Sequence, residues 1–565
     1  MKMKKLLSFV VLAVMGAMNL GCSNTDDPIG NPDIINGGEE VTLTATISFE
    51  GGEAQTRALD AQGHKTFAVG DQIAVLYENL DDDWRKAETN RLTADDITDD
   101  GMTATITVTL KRPKLQGPLK YVYPATMGDW DGSVNYAALK EQDGTLASLA
   151  ANLDVALYEG SFDNGELPNV KLINPLCIGE FSIINDDNDI TGNIRMMTVN
   201  DGTNFYIVRH KPVAGPIYVA MLPTDKPLQF YAHDYNNNYR RSVSGKTLAA
   251  GNMYPVNLTM PTDKRTALER LTGDYKVKDG ETLTGVLIGD CRILITSKDA
   301  TVTLDGVDIN STCPDVYGGD FETISSWPEY LGINGIGCFH NTTLILADGS
   351  DNKVVAGAKG YAGISIEDGY TLTIRGNGSL TAKGKASGYF NGAGIGGYFG
   401  HCGNIVIESG NITAQGPDYA AGIGSGYGSW DGIKCGDITI SGGNVTAQGG
   451  KFAAGIGTGY NDSHYKTTEC GRILISGGTV SAAGGEKAAG IGTGMAQNTG
   501  NKYKSILITN GVTSVKATGY PYSIGIGENG SSSGKVIIGC TLDSDGKPVG
   551  GNEGMISTSP YTYQP

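Results

Sequence analysis

The chain has 565 residues, a formal net charge of −18 and 82 glycines. Such acidity excludes nucleic acid and anionic membrane surfaces as electrostatic partners, and the length leaves room for two or three domains. Apolar residues at 39% support packed cores, while glycine at about twice its usual ~7% points to small-residue packing and many tight turns.

The chain opens on a targeting segment, residues 1–22. Lys2, Lys4 and Lys5 form a basic stretch, and Leu6 to Met18 is an apolar run too short to span a bilayer. It ends in Asn19-Leu20-Gly21-Cys22, which resembles the lipobox of bacterial lipoproteins, with Asn19 where an aliphatic residue is usual. The resemblance implies lipid attachment at Cys22 and an outer membrane as partner, several acyl chains being enough for stable anchoring; the alternative is an ordinary secretory signal cut nearby. Residues 23–40, rich in Asn, Asp, Pro and Gly, read as a flexible tether. Within it, Ser23-Asn24-Thr25-Asp26-Asp27 resembles the acidic tag that sends lipoproteins of some Gram-negative anaerobes to the cell surface.

From Val41 the pattern is strand-like. Val41 to Phe49 alternates as a half-buried strand, and further strands are expected at Gln72 to Tyr77, Thr103 to Leu110, Leu119 to Tyr123, Cys177 to Ile184, Phe205 to Val208, Ile217 to Met221, Gln229 to Ala232 and Met253 to Leu258. Only Tyr136 to Ala151 has a helical look. Strands at this spacing predict one antiparallel sandwich or two over residues 41–261. Gln55-Thr56-Arg57-Ala58, Phe67 to Val75, Tyr121-Val122-Tyr123-Pro124 and the closing Leu248 to Leu258 resemble the fimbrillin-like lipoproteins. That resemblance implies transthyretin-like β-sandwiches, in many relatives built into surface pili. It also implies cleavage after Arg57, which would free a groove for another pilus subunit's strand; the plain alternative is a loop arginine.

Residues 262–281 read as a charged linker, and 282–540 as a parallel β-helix. The clearest part is 402–494, where a 25-residue unit begins at Cys402, Cys435 and Cys470 and reads C-G-x-I-x-I-x-[SG]-G-x-[IV]-[TS]-A, a glycine turn, then A-A-G-I-G-x-G. Ile405 and Ile407, Ile412 and Ala414, and Ala421 and Ile423 are each two apart, so each pair points to one face of a strand. No single coil buries its own apolar face. Stacking at about 4.8 Å per coil brings the isoleucines into interior columns. This half resembles Gly-rich β-helix domains of bacterial surface proteins, some of them carbohydrate-binding, and residues 541–565 read as a cap or tail. Eight cysteines besides Cys22 invite disulfides in an exported chain. The three that share one repeat position cannot all pair among themselves, so buried thiols are the competing reading.

Catalytic signals are poor. The six histidines are scattered, and Gly392 to Gly397 satisfies G-x-G-x-x-G only inside the repeat, with no helix to follow. No enzyme activity, cofactor or metal is expected, although a β-helix polysaccharide lyase or hydrolase is an alternative and a loose calcium site at Asp431 or Asp462 another. The spacers between units carry Tyr398 and Phe399, then Tyr427, Trp430 and Asp431, then Tyr460, Asp462 and Tyr465. Following one point of successive coils, they are expected along one edge, as a row of aromatics suited to glycans or as loop packing. The whole reads as a surface adhesin with a fimbrillin-like base or pilus-assembly module and a β-helix that presents a glycan- or protein-binding face. A free-standing glycan-binding lipoprotein outside any pilus is the other option.

Overall fold

Two periodicities shape the chain: strands that alternate in the first half, and strands that repeat in register in the second. The computed structural model describes residues 40–49, 66–98, 100–114, 116–163, 165–289, 291–310, 335–357, 360–387, 390–398, 400–428, 432–463, 466–497, 500–530 and 534–565. Cys22, Arg57, Phe399, Trp430, Asp431 and Tyr465 lie outside the described residues. The chain divides into two units between Lys264 and Arg265.

The first unit contains four main sheets over two cores. In one sheet Glu40–Phe49 lies between Thr103–Lys111, its antiparallel partner, and Val170–Leu172, its parallel partner. Facing it is a sheet ordered Trp84–Glu88, Ala74–Glu78, Gln116–Tyr123, Ala156–Asp163. Alternation decides where each side chain goes. Ile47, Ile106 and Leu110 meet Val75, Tyr77 and Tyr121 in the first core, while Ala74, Leu76 and Val122, one residue out of phase, belong to the second. The middle sheet is therefore buried on both faces. This explains why Ala74 to Tyr77 is an unbroken apolar run rather than a half-buried alternation. The second core is closed by the sheets containing Cys177–Asn185 and Leu228–His233. The expected helix shrinks to Leu146–Asn152, started by the Thr145 side chain, which accepts from the Ser148 N–H at 3.2 Å.

The second unit is a parallel β-helix with three walls. The first wall is built by strands such as Asn404–Ile407 and Ile438–Ile440, and the second by Asn411–Gln415, Asn444–Gln448 and Thr479–Ala483. The third is a nine-stranded ladder whose later rungs are only two residues long, Ile423–Gly424, Ile456–Gly457 and Ile491–Gly492. Register is exact in kind from coil to coil: Ile405 pairs Ile438 and Ile438 pairs Ile473, while Ile407, Ile440 and Ile475 form the next column. All six are fully buried in one continuous core.

Two details of the narrow third wall were not visible in the apolar pattern. Gly457 has φ +132°, and a Cβ there would lie 1.8 Å from the Gly492 carbonyl oxygen, so the coils approach too closely for a side chain. The next residue carries a buried hydroxyl that clips coil to coil. The Ser425 Oγ accepts the Gly459 N–H, Thr458 Oγ1 accepts the Gly494 N–H, and Thr493 Oγ1 accepts the Gly527 N–H, each at 3.0 Å.

Residues 262–281, read above as a linker, carry paired strands. Thr262–Asp263 joins a sheet of the first unit, whereas Thr266–Ala267 and Tyr275–Lys276 pair with the solenoid strands that follow. At the other end the chain reverses. Tyr561–Tyr563 runs antiparallel to Ser514–Thr518, and Asn552–Glu553 antiparallel to Lys535–Leu542. Met555 packs over Gly525. This closing segment covers an edge that would otherwise template further strands. The seven described cysteines are all buried. Cys402, Cys435 and Cys470 stand in register as a column of thiols; hydrogen bonding between neighbouring thiols, then burial, holds Cys435 and Cys470 well above the ordinary thiol range.

Replacing Ile440 by Asp puts an unpaired carboxylate between Ile407 and Ile475 and should destabilise the solenoid by about 4 kcal/mol or more. Thr446→Asp, on the exposed side of the second wall, should shift the melting transition little. Equal losses in thermal unfolding of the two variants would contradict the assignment of inner and outer faces.

Candidate functional site

The spacers are part of the solenoid rather than loose loops. Gly428 pairs Asn461 and Asn461 pairs Ala496 as parallel bridges, so successive spacers stack as one more ladder. They also lean on the glycine turns that precede the third wall: the Tyr460 N–H donates to the Tyr419 carbonyl at 2.9 Å, and the Met495 N–H to that of Phe452 at 2.9 Å. This brings two aromatics from the turns, Tyr419 and Phe452, against two from the spacers, Tyr427 and Tyr460.

The four rings form one cluster. Tyr419 and Phe452 stack in adjacent coils with centroids 5.5 Å apart and planes 9° apart. Tyr460 lies 5.5 Å from Tyr419, 5.7 Å from Phe452 and 5.9 Å from Tyr427. Tyr427 is only 4% exposed and forms the floor. Above it Asp462 fixes the hydroxyls: its two carboxylate oxygens accept from Tyr427 at 2.9 Å and from Tyr460 at 3.2 Å. The Tyr460 hydroxyl is also 2.7 Å from Oε1 of Gln497, an exposed residue of the next spacer. Lys451 Nζ lies 5.4 Å from the centroid of the Phe452 ring.

Of the residues singled out from sequence, Tyr427, Tyr460 and Asp462 are thus brought together. Tyr398 has a separate setting. It lies 5.8 Å from Tyr361, and its hydroxyl donates to Glu367 Oε1 at 3.2 Å. Burial lifts the Glu367 carboxyl above its usual range, and burial likewise pushes the Tyr398 hydroxyl upward. Phe399, Trp430, Asp431 and Tyr465 are outside the described residues. Tyr419 and Phe452 were missed because they sit inside the glycine turn. The signal was present in the sequence, since both occupy the position before A-A-G-I-G in the repeat.

This arrangement changes what the edge offers a ligand. Only Tyr419 and Phe452 stack face to face, the other ring pairs being tilted by 36° to 47°, and the polar groups at the edge are the Tyr460 hydroxyl, Asp462 and the Gln497 amide. Such a surface suits a polar, hydroxyl-rich partner held by hydrogen bonds more than one held by face stacking. Elsewhere, a cleft of about 680 Å³ opens on the first unit beside Lys86, Lys111 and Trp130. Its cations are paired, Lys86 with Glu88 at 3.2 Å and Lys111 with Glu40 at 3.0 Å. Among the described residues no three His, Cys, Asp or Glu side chains gather as a metal-holding group, and no helix is long and apolar enough to cross a membrane.

A β-helix repeat family matches residues 372–401, 405–427, 438–460 and 473–495, the same coils whose register is described above. No curated protein matches the chain. Among solved structures, similarity is found to proteins described as “putative cell adhesion protein”. That of Bacteroides fragilis has 10% identity and a TM-score of 0.25, covering 40% of this chain and 97% of that one. That of Bacteroides ovatus has 15% identity and a TM-score of 0.24, covering 40% and 96%. That of Parabacteroides distasonis has 8% identity and a TM-score of 0.23, covering 39% and 90%.

If Tyr427 is the floor of the cluster, Tyr427→Ala should cost about 3–5 kcal/mol, as for other buried aromatics. Tyr460→Ala, at the partly exposed top, should cost about 1 kcal/mol or less. Chemical denaturation of the two variants checks this, and the reverse order would contradict the layering.

Proposed function

We propose that the chain is a non-catalytic surface adhesin, lipid-anchored to an outer membrane through Cys22, whose β-helix edge contacts glycans. The observation that carries this reading is the Tyr419–Tyr427–Phe452–Tyr460 cluster, with its hydroxyls fixed by Asp462 and extended by Gln497. It presents a row of fixed polar groups on a rigid edge. A rigid edge loses little conformational freedom when a ligand settles on it. Contacts this shallow give weak single-site affinity, roughly millimolar to tens of micromolar, and many anchored copies on one cell would raise the effective attachment.

The first unit fits the base or pilus-assembly role in this proposal. Glu40–Phe49 lies between two strands of its sheet, so its removal after a cut at Arg57 would open a slot edged by unpaired backbone groups, to be filled by a strand of another subunit.

The test uses cells that carry the full chain, compared with Cys22→Ala and with Tyr460→Ala/Gln497→Ala. Cys22→Ala should move the protein out of the membrane fraction. The double variant should remain in the membrane yet lose most retention on a glycan array. Unchanged membrane partitioning of Cys22→Ala would remove the anchor, and unchanged array binding of the double variant would remove the edge as the contact site.

A further inference from the structure

On its outward side the second wall carries no charge across three coils. Its outward positions are Asn411, Thr413 and Gln415, then Asn444, Thr446 and Gln448, then Thr479, Ser481 and Ala483; the side chains between them point into the core. These rows pair in register, so Asn411 stands against Asn444 and Thr479, and Thr413 against Thr446 and Ser481. Charge returns only beyond the three coils, at Lys383 and Lys516. In a chain of which 18% of residues are charged, nine adjoining outward positions without one are a distinct surface. The other walls offer nothing similar. The outer side of the first is covered in part by the C-terminal segment, where Leu474 and Leu507 pack with Cys540 and Arg472 reaches the Gly546 carbonyl at 3.1 Å; the third is two residues wide.

The amides on this face are already held in place. Asn444 Nδ2 donates to Asn411 Oδ1 at 2.9 Å, and Gln415 Nε2 to Gln448 Oε1 at 3.4 Å. Each such bond uses one donor and one acceptor, leaving the second amide hydrogen and further lone pairs directed outward. Between the two amide rows runs the row of threonine and serine hydroxyls. The result is a fixed grid of neutral donors and acceptors, repeating at about 4.8 Å along the solenoid axis and about 6.6 Å along each strand.

We propose that this wall is a docking face for an extended, uncharged β-linked polysaccharide lying along the solenoid axis, with about one sugar ring per coil. Three features favour that occupant. The absence of charge gives no attraction to an acidic or basic polymer. Alanine is the only apolar residue among the nine, so the aromatic and aliphatic anchors that protein partners rely on are missing. A fully extended β-1,4-linked chain advances by roughly the coil spacing per ring, so each ring lies over one coil and, with alternate rings flipped, the same hydroxyls return on every second coil. The fixed grid lowers the ordering cost of binding. This face uses residues other than those of the aromatic edge, and the inference stands independently of it.

The experiment measures depletion of the full-length protein from solution by microcrystalline cellulose, chitin and insoluble β-mannan, with gelled polygalacturonate as the acidic counterpart. The variants are Thr413→Lys/Thr446→Lys, which place two charges in the middle of the face, and Gln448→Lys at its margin, with Val213→Lys, exposed on the first unit, as the control for an added charge elsewhere. Wild type and Val213→Lys should be retained by at least one neutral polymer, equally at low salt and at about 1 M salt, where charge contacts are screened. The double lysine variant should lose about tenfold or more of that retention with an unchanged melting temperature. If it does not fold, Gln448→Lys must show the loss instead. Retention by none of the neutral polymers, equal retention of wild type and the folded lysine variants of the face, or retention confined to polygalacturonate at low salt would each overturn the proposal. So would a concentration-dependent dimer that the same substitutions abolish without any effect on polymer retention, since the face would then belong to a second copy.

Discussion

Everything in the second unit depends on the spacing between neighbouring coils. At about 4.8 Å, each interior side chain rests on an equivalent one, and the apolar columns close only because every coil holds the same register. The third wall enforces it most tightly. Gly424, Gly457 and Gly492 each leave room for the carbonyl of the next coil where a Cβ would collide. The adjacent Ser425, Thr458 and Thr493 hydroxyls satisfy backbone N–H groups one coil along. A slip of one residue would lose these bonds, strand buried N–H groups and turn every isoleucine column outward.

That constraint leaves the outside free to vary. Spacers of eight and ten residues follow the same point of the coil, and the ladder through Gly428, Asn461 and Ala496 starts each of them in register. Aromatic rings accumulate on the edge because equivalent positions fall within contact of each other, as Tyr419 and Phe452 do. Neutral side chains form a grid on the second wall for the same reason. In both places repetition makes the surface: one kind of residue is presented several times at fixed spacing.

Much of this was legible in the sequence because the copies have no gaps and the period of two is clean in Ile405, Ile407, Ile412 and Ala414. The three walls and the inward direction of the isoleucines follow from that alone. Short elements were harder. Thr266–Ala267 and Tyr275–Lys276 are two residues each, too brief for any alternation, so the entry to the solenoid read as a linker. Trp84–Glu88 is a polar edge strand and lacked the apolar rhythm of its neighbours. The aromatic edge was half visible. Spacer residues such as Tyr427 and Tyr460 stood out, but nothing in the sequence said that Tyr427 is buried or that Tyr419 and Phe452 come from another segment to meet Tyr460. Contacts across coils depend on how a turn folds back, and that is set by backbone hydrogen bonds rather than by composition.

The most direct measurement is the thermal unfolding of Gly457→Ala, because it changes one methyl group at the closest approach between coils. A residue with φ +132° and a Cβ 1.8 Å from the Gly492 carbonyl oxygen forces the coils apart. The solenoid transition should therefore lose more than about 4 kcal/mol or vanish, as expected for a severe backbone defect, while the transition of the first unit stays where it was. A variant that melts within about 1 kcal/mol of the wild type, a typical single-substitution effect, would contradict the claim that coil spacing holds the structure together.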